Sequence, residues 1–188
     1  NTFIGYATSN TNVSYSIPEG VTRIGWYAFD NCTYLKEITI PEGVTEIGLC
    51  AFSGCNSLKS ITIPKGATKI GLCAFKDCTS LESITIPEGV TEIEEGAFVG
   101  CTALQNIVIL KGVKKIGEGA FGGCTSLTTL ILPSGVNKIH EDEFKGCSAL
   151  TTIYVPAKKA DYYMDRLDAV LHNKIVELAP EKKTKAKE

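Results

Sequence analysis

Apolar residues return at a fixed spacing of twenty-three along most of this chain. The two most regular series, one of phenylalanines and one of cysteines, contain no insertion or deletion. They are Phe29, Phe52, Phe75, Phe98, Phe121 and Phe144, and Cys32, Cys55, Cys78, Cys101, Cys124 and Cys147. A fixed period of about 20–50 residues is typical of a solenoid, in which each unit buries its apolar face against its neighbours. The pattern therefore predicts stacked coils, none of which has a core of its own.

One period contains the signals of two short strands and a turn. The recurring residues are, in one copy, Cys32, Leu35, Ile38, Ile40, Pro41, Gly43, Val44, Ile47, Gly48, Ala51 and Phe52. Ile38 and Ile40 alternate with polar residues, which predicts a strand with both side chains facing inward. Pro41 ends that strand, and a second extended segment is expected to end near Ile47. Phe52 is expected on a helical or 3₁₀ turn, filling the wide end of its coil.

These residues closely resemble the repeat of the bacterial BspA-like leucine-rich repeat family, over roughly residues 13–156. The resemblance implies an α/β solenoid, a right-handed leucine-rich-repeat coil of about six 23-residue repeats with short strands, helical or 3₁₀ turns and terminal caps. Family members resemble surface or secreted proteins, some of them associated with adhesion. The resemblance thus implies a cell-surface or secreted, non-catalytic binding module that recognises a protein or glycoconjugate. The alternative is a structural or self-associating repeat module without an external ligand.

The ends of the chain depart from the repeat. Residues 1–16 lack its Cys and Leu, which predicts an N-terminal cap or a degenerate repeat ahead of a solenoid over 17–157. Residues 158–179 are expected to form a C-terminal cap, with a helix between Lys158 and His172 and a closing strand over 175–178. Lys and Glu dominate 180–188 without apolar anchors, so this tail is expected to be disordered.

Charge and hydropathy narrow the function classes. The 188-residue chain carries a net charge of −2, and this balance argues against electrostatic binding of nucleic acid. No segment approaches the roughly 18 consecutive apolar residues of a membrane helix, so no membrane insertion is expected in this chain. No signal peptide is visible, and a chain that opens at Asn1 rather than Met is expected to be a processed or trimmed form.

Catalytic and cofactor motifs are missing from the sequence. The two histidines, His140 and His172, have no nucleophile motif beside them, and no phosphate-binding, zinc-protease or dinucleotide fingerprint occurs. The string from Gly117 to Gly119 has a G-x-G core but lies in a repeat turn. The sequence therefore predicts no enzyme activity, no cofactor and no catalytic metal.

The eight cysteines fall into two groups. Six hold one position of the repeat and are expected to form a ladder of buried thiols, because free Cys behaves as a small apolar residue. Cys50 and Cys73 stand one period apart at a position where no repeat residue is required. Neighbouring strands lie about 4.8 Å apart, within the range that a disulfide accepts, so a Cys50–Cys73 bridge is one hypothesis. Two free thiols, and a zinc site shared with Cys55 and Cys78, are the others.

Two sets of variable positions are candidates for ligand binding. Trp26, Leu49 and Leu72 share one repeat position that later holds glutamates, and Tyr27 stands beside the first of them. This set is either a contact surface or a covering for the N-terminal cap residues Phe3 and Tyr6.

The second set comprises Val108, Ile131 and Tyr154, which follow Thr39, Thr62 and Thr85 at one strand position. Because Trp and Tyr often concentrate binding energy, Trp26 and Tyr154 are the primary candidates. The ligand is expected to be a protein or glycan, bound by a monomer or a weak homodimer.

Charged residues alternate in sign at two further repeat positions. The two series are Glu42, Lys65, Glu88 and Lys111, and Glu46, Lys69, Glu92 and Lys115. Opposite charges on neighbouring strands contribute roughly 0.2–1 kcal/mol per pair. These ladders are therefore expected to fix the stacking register and keep the surface soluble.

Overall fold

A computed structural model describes residues 1–6, 10–139 and 142–179. His140 and the tail over 180–188, for which the sequence predicts disorder, lie outside the described residues. The strands are β1 (Thr2–Phe3), β2 (Ser14–Ser16), β3 (Arg23–Ile24), β4 (Glu37–Thr39), β5 (Glu46–Ile47), β6 (Lys69–Ile70), β7 (Ser83–Ile86), β8 (Glu92–Ile93), β9 (Asn106–Ile109), β10 (Lys115–Ile116), β11 (Thr129–Ile131), β12 (Lys138–Ile139), β13 (Thr152–Val155) and β14 (Ile175–Glu177). The helices are α1 (Ala160–Met164) and a 3₁₀ helix over Ala169–Lys174.

All strand pairing in the described residues is parallel, and paired strands belong to adjacent coils of the solenoid. A seven-stranded sheet runs in the order β1-β3-β5-β6-β8-β10-β12. A five-stranded sheet runs β14-β13-β11-β9-β7, and β2 pairs with β4. Between β4 and β7, the coil that contains Ser60 has no full strand at this position. A single parallel bridge joins Ser60 to Ser83 of β7. Two short strands per period are confirmed except in the coil of Ser60, where the first strand is reduced to this bridge, and the chain forms a solenoid of about seven turns.

The segment after each second strand is a succession of turns. Ser53 N–H donates to Cys50 O at 3.2 Å, and Cys55 N–H donates to Phe52 O at 3.2 Å. These are the i to i−3 bonds of a 3₁₀ helix, but Cys50 and Gly54 adopt positive φ values of 48° and 70°. A left-handed residue interrupts a right-handed helix. The structure therefore assigns turns, where the sequence suggests a helical or 3₁₀ segment.

The phenylalanines form one continuous stack through the core. Phe75 has no exposed surface, and its ring lies 5.3 Å from that of Phe52 and 5.2 Å from that of Phe98. The planes are within 5° of parallel in both pairs. Because the repeat has no insertions, each ring meets its equivalent in the next coil. This stacking fixes where every surface side chain of one coil lies relative to the next.

A cap closes the last coil. Tyr163 of α1 is buried, and its hydroxyl donates a hydrogen bond to the carbonyl oxygen of Pro133. The helix expected up to His172 is shorter than predicted and ends at Met164. Asp168 then adopts an extended backbone conformation. Its side chain accepts a hydrogen bond from Val170 N–H and so caps the start of the 3₁₀ helix. The expected closing strand is β14, which pairs with β13 and so continues the five-stranded sheet.

Candidate recognition surfaces

Four residues on the first coils form an exposed face, which we call the N-terminal apolar surface: Trp26, Tyr27, Leu49 and Leu72. Trp26 is 69% exposed, Tyr27 55% and Leu72 37%, whereas Leu49 is half-buried. Tyr27 N–H donates to Leu49 O at 2.9 Å, and Cys50 N–H donates to Leu72 O at 2.9 Å. These bonds run from each coil to the next. The structure thus places the four predicted residues side by side on adjacent coils.

The Trp26 ring rests on the next coil. A Cβ atom at Gly48 would lie 3.0 Å from Trp26 Cδ1, so the indole packs where that glycine has no side chain. A groove of about 330 Å³ runs beside the ring and is also lined by Ile4, Arg23 and Glu46. Arg23 Nε lies 2.8 Å from the Glu46 carboxylate. The surface therefore combines an exposed aromatic ring with an adjacent ion pair.

The N-terminal aromatic residues pack elsewhere. The Phe3 ring is stacked 5.0 Å from that of Phe29, and the Tyr6 ring lies 4.7 Å from that of Tyr15 and 5.4 Å from that of Phe29. These contacts extend the internal phenylalanine stack at its N-terminal end. Trp26 stays largely exposed beside them.

The second predicted set also forms a continuous feature, which we call the C-terminal stripe. Val108, Ile131 and Tyr154 pair in register across β9, β11 and β13. Val176 of β14 pairs with Tyr154 and is 45% exposed, so the stripe reaches the last strand. The three predicted residues are half-buried. Val176 was not identified from the sequence, because it lies outside the repeat.

A groove of about 520 Å³ opens next to the stripe, lined in part by Ile131, Leu110, Pro156 and Leu178. Leu110 is 37% exposed and Leu178 is 40% exposed. Sequence reasoning missed this groove. The available signal was Leu110, which stands where the other copies have proline, as at Pro87.

The ladder of Glu46, Lys69, Glu92 and Lys115 lies on the seven-stranded sheet, whereas the ladder of Glu42, Lys65, Glu88 and Lys111 lies in turns. Lys115 and Glu92, which pair in register on β10 and β8, form an ion pair. Lys69 forms its ion pair with Glu94 of the next coil, at 2.9 Å, and not with its ladder neighbours. The hydrogen bond to Glu94 raises the pKa of Lys69. These side chains are partly exposed, where ion pairs contribute about 0–1 kcal/mol. These ion pairs therefore contribute little to stability.

The six repeat cysteines are buried, as predicted, and the structure adds a role for their thiols. Cys78 Sγ donates to Phe52 O at 3.1 Å, and Cys101 Sγ donates to Phe75 O at 3.1 Å. Cys55, Cys124 and Cys147 make the equivalent bonds. Five of the six thiols therefore satisfy a backbone carbonyl of the preceding coil as well as filling space, whereas Cys32 Sγ lies 3.9 Å from Asp30 O in its own coil. Burial raises the pKa of Cys32 to about 11.

Cys50 and Cys73 differ from the ladder. Both are free thiols and only partly buried. Burial raises the pKa of both. A hydrogen bond between the two thiols raises the pKa of Cys50 further and acts in the opposite direction on Cys73. Cys55 and Cys78, the other members of the hypothetical zinc site, have no exposed surface and donate their thiols to carbonyls of the preceding coil.

No group of three or more His, Cys, Asp or Glu residues has the geometry of a metal site within the described part of the chain. His172 lies in the C-terminal cap, where its Nε2 is 3.1 Å from Leu167 O. Across the described residues, no helix has the length and apolar character needed to cross a membrane.

The fold and the repeat together define the class of this protein, a leucine-rich-repeat solenoid built from parallel strands. Such solenoids typically serve as non-enzymatic scaffolds and commonly bind proteins. The chain belongs to the BspA type leucine rich repeat family, whose model matches six copies over residues 3–109 and 47–165. The resemblance inferred from the sequence is therefore confirmed.

Three solved bacterial structures are similar to this chain. A leucine-rich repeat protein from Eubacterium ventriosum is 29% identical, with a TM-score of 0.57, over 80% of this chain and 47% of that one. A leucine rich cell surface protein from Faecalibacterium prausnitzii is 25% identical, with a TM-score of 0.41, over 91% and 60%. A leucine rich repeat protein from T. pallidum is 25% identical, with a TM-score of 0.45, over 67% and 82%.

The chain thus spans about half the length of the Eubacterium ventriosum protein and 60% of that from Faecalibacterium prausnitzii. No curated protein matches it.

Proposed function

We propose that this chain is a non-catalytic recognition module that binds a protein or glycoconjugate, at the bacterial surface or outside the cell. The N-terminal apolar surface is the proposed binding face. The observation that carries the proposal is the 69% exposure of Trp26, held against Gly48 and beside the half-exposed Tyr27. The location is the one that the BspA-like resemblance implies.

Trp26 has the properties of a binding anchor. An exposed indole offers a large apolar area and an N–H donor, and Trp and Tyr are enriched among residues that dominate binding energy. The contact with Gly48 restricts the ring before any partner arrives. Less side-chain entropy is then lost on binding, which favours affinity.

Tyr27 stands at a backbone position that suits glycine. Its φ is 57°, and Gly96 and Gly119 take the same conformation three and four coils further along the solenoid, with φ of 59° and 58°. The left-handed conformation costs roughly 1–2 kcal/mol for a residue with a side chain. A tyrosine here adds 55% exposed aromatic surface at some cost in stability, which supports a role outside folding.

The apolar character of the surface is local. The position held by Trp26, Leu49 and Leu72 is held by Glu95 and Glu118 in later coils, and both glutamates are exposed. The repeat therefore accepts charged residues at this position. Contiguous exposed apolar residues on a soluble protein usually mark an interaction site.

The test uses purified chain against two arrays, one of extracellular host and bacterial surface proteins and one of glycans. Binding to any array member is then measured for Trp26→Ala, Tyr27→Gly and Tyr34→Ala. Tyr34 is the matched control, since it is 55% exposed, as Tyr27 is, and lies outside the surface. We expect Trp26→Ala to weaken binding by at least about tenfold, which corresponds to about 1.4 kcal/mol, and Tyr34→Ala to leave it unchanged.

Tyr27→Gly sharpens the test, because glycine is the residue that later coils use at this position. It removes the ring while relaxing the backbone, so lost binding with retained stability assigns Tyr27 to recognition. Binding that survives Trp26→Ala but is lost on Tyr154→Ala would move the site to the C-terminal stripe. Full binding in all these variants would refute both surfaces.

Self-association is the second candidate function. Leu72 is 37% exposed and Leu49 half-buried on neighbouring coils, which gives two copies a flat apolar face to pair through. Light scattering across a tenfold concentration range tests it. A mass that rises with concentration in the wild-type chain and stays monomeric in Leu72→Glu supports pairing. A wild-type chain that stays monomeric at every concentration would contradict self-association and favour an external ligand for this surface.

A further inference from the structure

Two thiols lie side by side on neighbouring coils, at the edge of the N-terminal apolar surface. Cys50 and Cys73 occupy the same repeat position and share a left-handed backbone, with φ of 48° and 53°. Cys50 N–H donates to Leu72 O at 2.9 Å, so the two residues are direct neighbours across the coils. Equivalent atoms of neighbouring coils are about 4.8 Å apart. A disulfide accepts Cα separations of about 4.4–6.8 Å, so the backbone already has the required spacing.

These two thiols are less buried than those of the ladder. The Cys50 and Cys73 side chains lie close enough for each to affect the pKa of the other. In the ladder, by contrast, Cys78 Sγ donates to Phe52 O at 3.1 Å inside the core. Cys50 and Cys73 are the two cysteines of the eight that are only partly buried. The chain therefore contains one accessible dithiol and six protected thiols that serve as internal controls.

One side of the Cys73 sulfur faces a glycine. Cys73 Sγ would lie 3.0 Å from a Cβ atom at Gly96, so on that side the missing side chain leaves the sulfur uncovered. Burial has the largest effect and raises the pKa of Cys73, as do the charges of Glu95 and Asp77, whereas Lys76 and the interaction with Cys50 lower it. A cation and a thiol donor beside a sulfur stabilise the thiolate, which is the attacking form.

We propose that Cys50 and Cys73 form a redox site that exchanges with small disulfides such as oxidised glutathione and closes to a disulfide between coils. The Cys73 thiolate attacks one sulfur of the small disulfide, forming a mixed disulfide and releasing one thiolate. Cys50 loses its proton to solvent and attacks Cys73 Sγ, which forms the Cys50–Cys73 bond and releases the second thiolate. The two cysteines are oxidised by two electrons, and the small disulfide is reduced to two thiols.

The bond would form beside Leu49 and Leu72, each of which directly precedes one of the two cysteines in sequence. Oxidation at this site would tie together two of the coils that carry the proposed binding face. The redox site does not depend on that function, because its test measures covalent chemistry alone.

The experiment incubates the reduced, folded chain with excess oxidised glutathione at about pH 8.5, near the ordinary thiol pKa. The sample is then denatured, alkylated and analysed by intact mass and by tryptic mapping. We expect loss of two hydrogen atoms, alkylation of the six ladder thiols, and a crosslink between the peptides Glu37–Lys59 and Ile70–Lys76. Cys50→Ser is expected to stop at a glutathione adduct on Cys73. Cys73→Ser is expected to react more slowly, at Cys50.

Several outcomes would overturn the proposal. They are a wild-type chain that keeps a glutathione adduct, one that remains fully reduced, a covalent dimer, or a disulfide that includes a ladder cysteine. Circular dichroism of both serine variants establishes that they are folded. A folded Cys50→Ser that takes up no glutathione would show that Cys73 is not the attacking thiol and would overturn the mechanism.

Discussion

Removal of one ring from the phenylalanine stack tests the energetic basis of the fold. Phe75 has no exposed surface and is stacked between Phe52 and Phe98, at centroid distances of 5.3 and 5.2 Å. Phe75→Ala would leave a cavity in the middle of the solenoid and break two ring contacts. Because each coil is stabilised by its neighbours, the loss falls on both sides of the cavity.

The magnitude follows from burial and from the two contacts. Truncating a core Phe to Ala costs about 3–5 kcal/mol, and a stacked aromatic pair contributes about 0.5–1.5 kcal/mol beyond the area that it buries. Phe75 loses two such pairs, so we expect about 4–5 kcal/mol. Phe144 is the matched control: it is 6% exposed and stacks on Phe121 at 5.6 Å, so Phe144→Ala should cost nearer 3 kcal/mol.

Urea unfolding followed by far-UV circular dichroism measures the difference. Phe75→Leu, expected to cost about 1–1.5 kcal/mol, provides a folded variant if the alanine variant is too unstable to study. An unfolding midpoint for Phe75→Ala that matches the wild type would refute the inward assignment of the ring. Equal costs for Phe75→Ala and Phe144→Ala would refute the contribution of the second stacked neighbour.

Two further predictions concern pH and the backbone. The pKa of Cys32 is raised to about 11 in the folded chain. Its contribution to stability is therefore complete below the ordinary thiol pKa and is lost as pH rises through about 11. The melting temperature should fall between about pH 9 and 11, and a flat profile would contradict the burial of the thiols. Gly112→Ala should destabilise more than Gly119→Ala, because an added Cβ would meet Glu88 O at 2.0 Å at the first site and nothing within 4 Å at the second. Urea unfolding compares the two variants, and equal costs would refute the close approach at Gly112.

The sequence predicted the features that every coil repeats. Spacing alone located both strands, the inward phenylalanines and the buried cysteines. In a solenoid each core side chain packs against the equivalent side chain of the next coil, so the same residue type recurs in every copy. The same logic applied to Trp26, Leu49 and Leu72, and to Val108 and Tyr154, where departures from the repeat located surface positions. The structure places each set on adjacent coils.

The features that the sequence did not predict depend on conformation or on residues outside the repeat. Two left-handed residues per coil, such as Cys50 and Gly54, give turns where apolar spacing alone suggests a helix. The bond from Cys78 Sγ to Phe52 O links residues twenty-six apart, a spacing that apolar periodicity does not contain. The groove beside Leu110 and Leu178 joins a repeat residue to the cap, so no single period describes it.

The left-handed position shared by Tyr27, Cys50 and Cys73 separates structure from function most directly. Gly96 and Gly119 take the same backbone conformation in later coils, so glycine is sufficient for the fold there. A residue with a side chain is destabilised by about 1–2 kcal/mol in this conformation. Glycine avoids that strain, but it increases the conformational entropy of the unfolded chain, which offsets about 0.4–1 kcal/mol of the gain. The net gain is about 0.8 kcal/mol per residue, so replacing all three with glycine should raise the free energy of unfolding by about 2 kcal/mol, measured in urea. It should also remove the Tyr27 ring and the dithiol. A large loss of stability would show that these side chains are structural, and would leave only Trp26 in support of the proposed binding face.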